Sequence, residues 1–266
     1  MSDSYLVNLD ERGVLTISLN RPKIHNAFDD ELINSLTEYI NDLEQNNKVR
    51  LIVLSGEGKS FCAGADLNWM KRMKDYSTDE NYADSLSLAG LFHAINKFKG
   101  PVIGKVHGAA LGGGSGLVAV CDYVLAKEKT IFGFTEVILG LAPAVISPFV
   151  MAKIGESNAR AYFLSGEKFG TKQAKEMGLI HHVSLERYFH QDVEDVVSKF
   201  LKAGPLAQRK VKELIFGVQE FSLQSESMVT DYTCKTISGI RTSEEGQEGM
   251  TALLEKRKPN WQNKDT

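Results

Sequence analysis

Val106-His-Gly-Ala-Ala-Leu-Gly-Gly-Gly-Ser-Gly-Leu-Val-Ala-Val-Cys-Asp122 decides how this chain is read. A run rich in β-branched residues, Pro101–Val106, reads as a strand feeding a loop with glycines at 112, 113, 114 and 116, and an apolar helical run follows. Glycine lets backbone N–H groups approach a ligand closely, and a helix start adds partial positive charge. That combination suits a developing oxyanion. Such a loop equally suits a phosphate, or simply tight packing of a strand against a helix, and the glycines alone leave these readings open.

A second stretch tips the balance. Ser60-Phe-Cys-Ala-Gly-Ala-Asp-Leu67 follows the apolar strand Leu51–Leu54 and a turn carrying Gly56 and Gly58. Again a strand runs into a turn of small residues (Ala63, Gly64, Ala65) with little side chain to block a ligand. Two such turns on neighbouring strands can offer two backbone donors to one oxygen, as thioester or ester chemistry requires. Further segments complete a pattern: Asn20-Arg-Pro22 with Asn26-Ala27, Phe132-Gly-Phe-Thr-Glu136, Gly140-Leu-Ala-Pro143 and Leu254-Glu-Lys-Arg-Lys258. In this order, over nearly the whole chain, they resemble the crotonase (enoyl-CoA hydratase/isomerase) superfamily.

Composition is compatible with that class. The chain has 266 residues, 42% hydrophobic and 24% charged, an ordinary globular mix long enough for one large domain with an appended subdomain. A net charge of −3 and a pI near 6.1 argue against a nucleic-acid footprint. Cys62, Cys121 and Cys234 are odd in number and lack metal-ligand spacing, so a reducing compartment is expected, with Cys62 a small buried side chain. The N-terminus shows neither a secretory signal nor an Arg-rich presequence, and no apolar run approaches the ~20 residues of a membrane span. A cytoplasmic protein is expected. Neither a Walker signature nor a Gly-x-Gly-x-x-Gly fingerprint occurs, which disfavours kinases and nicotinamide enzymes.

Val14–Asn20 alternates like a half-buried strand. A helix is predicted from about Asp29, with Leu32, Ile33, Leu36, Ile40 and Leu43 on one face. Ser77-x-x-Glu80 predicts a capping box opening a helix through Leu86, Ala89, Phe92 and Ile95, which stops before Gly100-Pro101. Strands are predicted around 102–106, 123–126 and 131–134. Beyond about residue 143 strand signals nearly vanish, and 157–165, 171–177, 189–203, 205–216, 221–237 and 243–257 read as helices. Alternating strand, loop and helix predict an α/β core with a helical tail. The resemblance implies more: a crotonase-like spiral of ββα units over 1–204, and C-terminal helices over 205–266 that build a homotrimer or a dimer of trimers.

It also implies chemistry. Members bind an acyl-CoA thioester and stabilise its enolate with two backbone N–H groups. Carried over by motif, these are Ala63 and Gly113, each worth about 3 kcal/mol in comparable sites. Gly64, Ala65, Asp66 and Leu67 would line the path of CoA together with Gly112, and the Arg21–Asn26 loop, with Ile24, would lie beside the adenine. Lys256 would reach CoA phosphates from near the chain end, although a solvated helix terminus favours the same cation. Glu136, at the end of a short apolar strand, is the expected proton-transfer group, since a carboxylate among apolar neighbours has a raised pKa. Coenzyme A belongs to the substrate; no other cofactor, no metal, no membrane and no nucleic-acid partner is expected.

Two departures refine the resemblance. Two-acid hydratases carry a second glutamate where this chain has Gly116, and Ser115 cannot serve as a base unaided. Beyond Gly140 the commoner Pro-Gly pattern gives way to the bulkier Leu141-Ala-Pro-Ala-Val-Ile-Ser-Pro-Phe149. Together with Asp66–Arg72, this is similar to a subgroup acting on branched, carboxylated enoyl-CoAs, including methylglutaconyl-CoA and carboxygeranoyl-CoA hydratases. Hydration of 3-methylglutaconyl-CoA is the leading expectation. The alternatives are a Δ3-Δ2-enoyl-CoA isomerase, which needs one carboxylate only, and a silent CoA- or RNA-binding scaffold. Lys71, Arg72 and His25 are the candidates to meet a substrate carboxylate. His107 reads as a satisfied polar group and His181-His182 as loop.

Overall fold

A computed structural model describes residues 3–222 and 225–262. The chain divides into two compact units: residues 1–98 with 102–193, and residues 99–101 with 194–266.

The first unit holds two sheets. Six strands lie in the order β1 (Tyr5–Leu9), β2 (Val14–Leu19), β3 (Leu51–Gly56), β4 (Val102–Val106), β6 (Tyr123–Lys127), β9 (His182–Ser184). The β1–β2 pair is antiparallel and the other pairs are parallel. A three-stranded sheet runs β5 (Ala109–Leu111), β7 (Ile131–Gly133), β8 (Lys168–Gly170). Strands buried on both faces read as continuous apolar runs, as β3 does. The same position explains β2, where the predicted half-burial does not hold. Flanked by β1 and β3, it buries even Ser18, whose hydroxyl meets that of Ser55 at 2.7 Å.

Helix α1 (Asp30–Asp42) starts where its Asp29 cap and acidic first turn place it, and buries Leu32, Ile33, Leu36 and Ile40. Helix α3 (Thr78–Lys97) opens on the predicted Ser77/Glu80 capping box and packs against α1. Its inward face is Leu91, Phe92 and Ile95, while Leu86 is exposed. Between them lies the short α2 (Leu67–Met73), capped by Asp66. Helix α4 is Gly113–Ala119, and α5 spans Ser147–Ser165 with a break at Gly155 (φ 72°, ψ 165°). α5 therefore begins ten residues before its sequence-based start. Strands β8 and β9 are corrections: each is short and interrupted by polar residues, without the apolar run that marks Ile131–Gly133, and β9 takes His182 out of the expected loop. Helix α6 is Thr171–Glu176.

Helix α7 is Phe189–Leu201, and the second unit carries α8 (Pro205–Ser222), α9 (Glu226–Thr242) and α10 (Glu244–Leu254). Here the helix predicted over 221–237 resolves into the end of α8 and a separate α9, whose cap is Ser225; residues 223 and 224 lie outside the described ones. Among the described residues, no helix is long and apolar enough to cross a membrane, and no cluster of three metal-ligating side chains occurs. None of the three cysteines is in a disulfide; Cys62 and Cys121 are buried and Cys234 is exposed.

Candidate active site

The two small-residue turns meet. The turn after β3 runs alongside β5: Cys62 N–H donates to Ala109 O at 3.1 Å, and Leu111 N–H to Cys62 O at 3.0 Å. A side chain on Gly114 would collide with Cys62 O, and a Cβ on Gly64 would stand 3.0 Å from Leu111 O and 4.0 Å from Gly113 N. This is the close approach that the two glycine-containing turns exist to permit. Gly112 (φ 53°, ψ −125°) turns the chain into α4, its N–H donating to Gly133 O at 2.8 Å. The loop is thereby tied to the strand that leads to Glu136.

One expected donor is displaced. Ala63 N–H donates to His25 O at 2.9 Å, so it is committed to the protein and cannot also hold a thioester oxygen. His25 and Asn26 both lie in the left-handed region (φ 54° and 56°), a strained arrangement that the buried Asn26 side chain secures. It accepts from Arg21 N–H at 2.8 Å and donates to Glu57 O and Ser60 O at 2.8 and 2.7 Å. Two residues further on, Ala65 sits in a bridge with Phe28. Phe28 N–H takes Gly64 O and Phe28 O takes Asp66 N–H, both at 2.9 Å, which turns the intervening Ala65 N–H away from Phe28. Among the described residues, neither Ala65 N–H nor Gly113 N–H has an acceptor. Ala65 and Gly113 thus each keep a backbone donor unengaged in these adjoining turns.

Glu136 stands beside them. It opens a 3-10 turn (Glu136–Leu139) after β7, whose continuation Phe134 is buried edge-on against Phe163 with centroids 5.0 Å apart. Its Oε1 lies 3.2 Å from where a Cβ on Gly112 would project, next to Gly113. Its Oε2 is buried without a partner among the described residues. Burial raises the carboxyl above the ordinary carboxylate pKa, only partly opposed by its own backbone N–H. A buried acceptor left unsatisfied is costly and calls for a physical reason.

The other expected residues sort themselves by their partners. Asp66 is 6% exposed and holds α2's first amides (Asn68 and Trp69 N–H) and Arg21 Nη2 (3.0 Å), so it braces the turn rather than lining a path. Leu67, by contrast, is 81% exposed, and Ile24 is exposed as well. Ser115 donates to Ala110 O at 2.7 Å from a fully buried position, so its hydroxyl is spent inside the helix start. His107 Nε2 meets Gly58 O at 2.9 Å, a satisfied polar group. Of the candidates for a substrate carboxylate, Arg72 is paired with Asp30 at 2.5 Å and His25 Nδ1 meets Ser60 Oγ at 3.0 Å. Lys71 is exposed, one turn beyond Leu67 on α2, with no ionic partner among the described residues. Lys256 belongs to the second unit, exposed just past α10 with φ 56°. There Arg257 grips Glu248 with both terminal guanidinium nitrogens, Nη1 at 2.7 Å and Nη2 at 2.8 Å.

The place of a second acid is closed. A Cβ on Gly116 would collide with Ile146 Cγ2 and come within 3.0 Å of the buried ring of Phe92.

The enoyl-CoA hydratase/isomerase family model matches residues 10–264, and the chain belongs to that family. It is 30% identical to the 2,3-dehydroadipyl-CoA hydratase of Escherichia coli strain K12, over 97% of this chain and 98% of that one. With the mitochondrial enoyl-CoA hydratase of Pongo abelii it shares 31% identity over 92% of this chain and 82% of that one. A solved enoyl-CoA hydratase from Shewanella pealeana superimposes with a TM-score of 0.92 at 36% identity, covering 97% and 96% of the two chains. The fold is that of the crotonases, and the protein is an enzyme of the enoyl-CoA hydratase/isomerase type.

Proposed function

We propose that the protein adds water across the C2=C3 bond of an enoyl-CoA, with 3-methylglutaconyl-CoA as substrate. One observation carries the reading: two unengaged amides, Ala65 and Gly113, adjoin a buried carboxyl with an unpartnered oxygen. The amides hold the thioester oxygen as negative charge develops on it. Glu136 takes a proton from water as it attacks C3 and returns one to C2, and its raised pKa suits both directions. For a substrate with a distal carboxylate, Lys71 supplies the counter-charge. The 2,3-dehydroadipyl-CoA named for the Escherichia coli relative also carries such a carboxylate, which supports the class. We place the protein in the cytoplasm as a homotrimer or a dimer of trimers, with no cofactor beyond the CoA of its substrate.

A second reading, Δ3-Δ2-enoyl-CoA isomerisation, is favoured by the hydrocarbon filling the Gly116 position, since moving one proton between two carbons needs one carboxylate. Purified protein assayed with 3-methylglutaconyl-CoA, crotonyl-CoA and 3-hexenoyl-CoA separates the two. Hydration of the first, ahead of crotonyl-CoA, is expected. Fast conversion of 3-hexenoyl-CoA with no hydration of either enoyl thioester would replace the hydratase by the isomerase.

A further inference from the structure

We propose that Phe28 is the positioning residue that fixes the distance between the two amide donors, its backbone holding one and its ring the other. The inference rests on the oxyanion reading of Ala65 and Gly113 given above.

Phe28 touches both turns at once. Through its main chain it binds the residues on either side of Ala65, at 2.9 Å each way, so the direction of the Ala65 amide follows the position of Phe28. Through its ring it lies against Gly113: a Cβ there would collide with Cζ and stand 2.9 Å from Cε1. The ring therefore occupies the space on the side-chain face of Gly113. The three atoms nearest that position all belong to the Phe28 ring.

Phe28 is itself held from three directions. It is 2% exposed, and its ring meets Trp69 edge-on with centroids 6.1 Å apart. Arg21 clamps its neighbours: Nη1 donates to Ala27 O at 2.7 Å, and Nη2 reaches Asp29 at 2.6 Å and Asp66 at 3.0 Å. Trp69 in turn donates to Asp84 Oδ1 at 3.2 Å. An aromatic ring has two side-chain torsions and no flexible end, so once packed it acts as a rigid spacer in a close-packed interior. An oxyanion hole demands such rigidity, because its donors stabilise charge only where they already stand when the charge appears.

The test uses the full-length protein with Phe28→Leu, which shortens the spacer, and Phe28→Tyr, which keeps the ring and adds an oxygen at the atom facing Gly113. The probe is butyryl-CoA labelled with 13C at its carbonyl, a saturated thioester that cannot be hydrated. Difference infrared spectroscopy reads how strongly the site polarises the carbonyl, calorimetry reads affinity, and kcat is taken on the best enoyl-CoA substrate. Both variants are expected to bind butyryl-CoA within about threefold of wild type, to lose most of the red shift of the carbonyl band, and to drop kcat by about tenfold to a hundredfold, part of the loss seen when a whole donor is removed. A merely structural role would lower stability without moving the band. If Phe28→Leu does not fold, Phe28→Tyr carries the test, since it retains the Trp69 contact. Variants with the wild-type band shift and kcat would overturn the role of Phe28. Absence of any shift in the wild type would instead overturn the oxyanion reading itself.

Discussion

Ile146 fills the space that a side chain on Gly116 would need. Its Cγ2 stands where the Cβ would project, and Phe92 closes the same space from another side. A second catalytic carboxylate at 116 is thus excluded by packing as well as by sequence.

Alanine at 116 tests that contact. Replacing a helical glycine by alanine gains about 1 kcal/mol of helix propensity, whereas forcing a methyl into a packed core costs about 1–3 kcal/mol. Because Ile146 and Phe92 are both buried, the collision is expected to win, and Gly116→Ala lowers stability by about 1 kcal/mol. In a double-mutant cycle by urea unfolding, Gly116→Ala with Ile146→Ala is expected to be less destabilised than the sum of the single changes, by about 1 kcal/mol. Additive values would mean that the two residues do not touch.

Glu136→Gln keeps shape and removes the carboxyl proposed to transfer the proton. Turnover is expected to fall by about 10²–10⁴-fold with CoA-ester affinity preserved. Steady-state kinetics beside calorimetric titration decide it, and wild-type turnover in the variant would remove Glu136 from the chemistry.

The same variant has a pH signature in stability. Burial raises the Glu136 pKa in the folded protein above its ordinary value near 4.5. The folded state therefore binds this proton more tightly than the unfolded chain does. The associated stability is complete below pH 4.5 and is lost as pH rises through the folded pKa. Glutamine does not titrate. Relative to wild type, Glu136→Gln is expected to melt higher at pH 8 than at pH 4. Equal offsets at both values would show an ordinary, unshifted carboxyl.

Lys71→Met is expected to raise KM for 3-methylglutaconyl-CoA about tenfold, as loss of one charge-assisted contact of about 1.5 kcal/mol does. KM for crotonyl-CoA, which has no distal carboxylate, should stay within twofold or so of wild type on the same grounds. Parallel changes for both substrates would place Lys71 outside acyl recognition.

In the second unit, the Arg257 guanidinium and Asn260 N–H hold the Glu248 carboxyl down at about 2. A lowered carboxylate pKa adds stability above the ordinary value near 4.5, lost as pH falls towards 2. Carboxyl NMR titration is expected to place Glu248 near 2 in the wild type and clearly higher in Arg257→Met, still below the ordinary 4.5 because the Asn260 N–H remains. An unchanged midpoint would assign the shift to other groups.

Side chains and local caps were legible in the sequence; the state of individual amides was not. Asp29, Ser77 with Glu80, and the glycines before α4 mark their elements through interactions within a few residues, and each stands where expected. Glu136 was legible because a charged residue ends an apolar strand. Ala63 was not, because its N–H is taken by His25 O, 38 residues earlier in the chain, and a motif does not show which amides a distant loop occupies. Likewise the loss of an acid at 116 and the bulk after Gly140 were both visible, but their contact is tertiary. β8 and β9 escaped because Lys168–Gly170 and His182–Ser184 are short and interrupted by polar residues, without the apolar run that marks Ile131–Gly133.

Cys62 adjoins the turn that carries Ala65, fully buried, with its thiol pushed up to about 12 by the loss of solvent. An α,β-unsaturated thioester is an electrophile, and a sulfur anion beside it would be alkylated by the compound the enzyme turns over. Kept as a neutral thiol, Cys62 has almost none of the nucleophilic form at physiological pH.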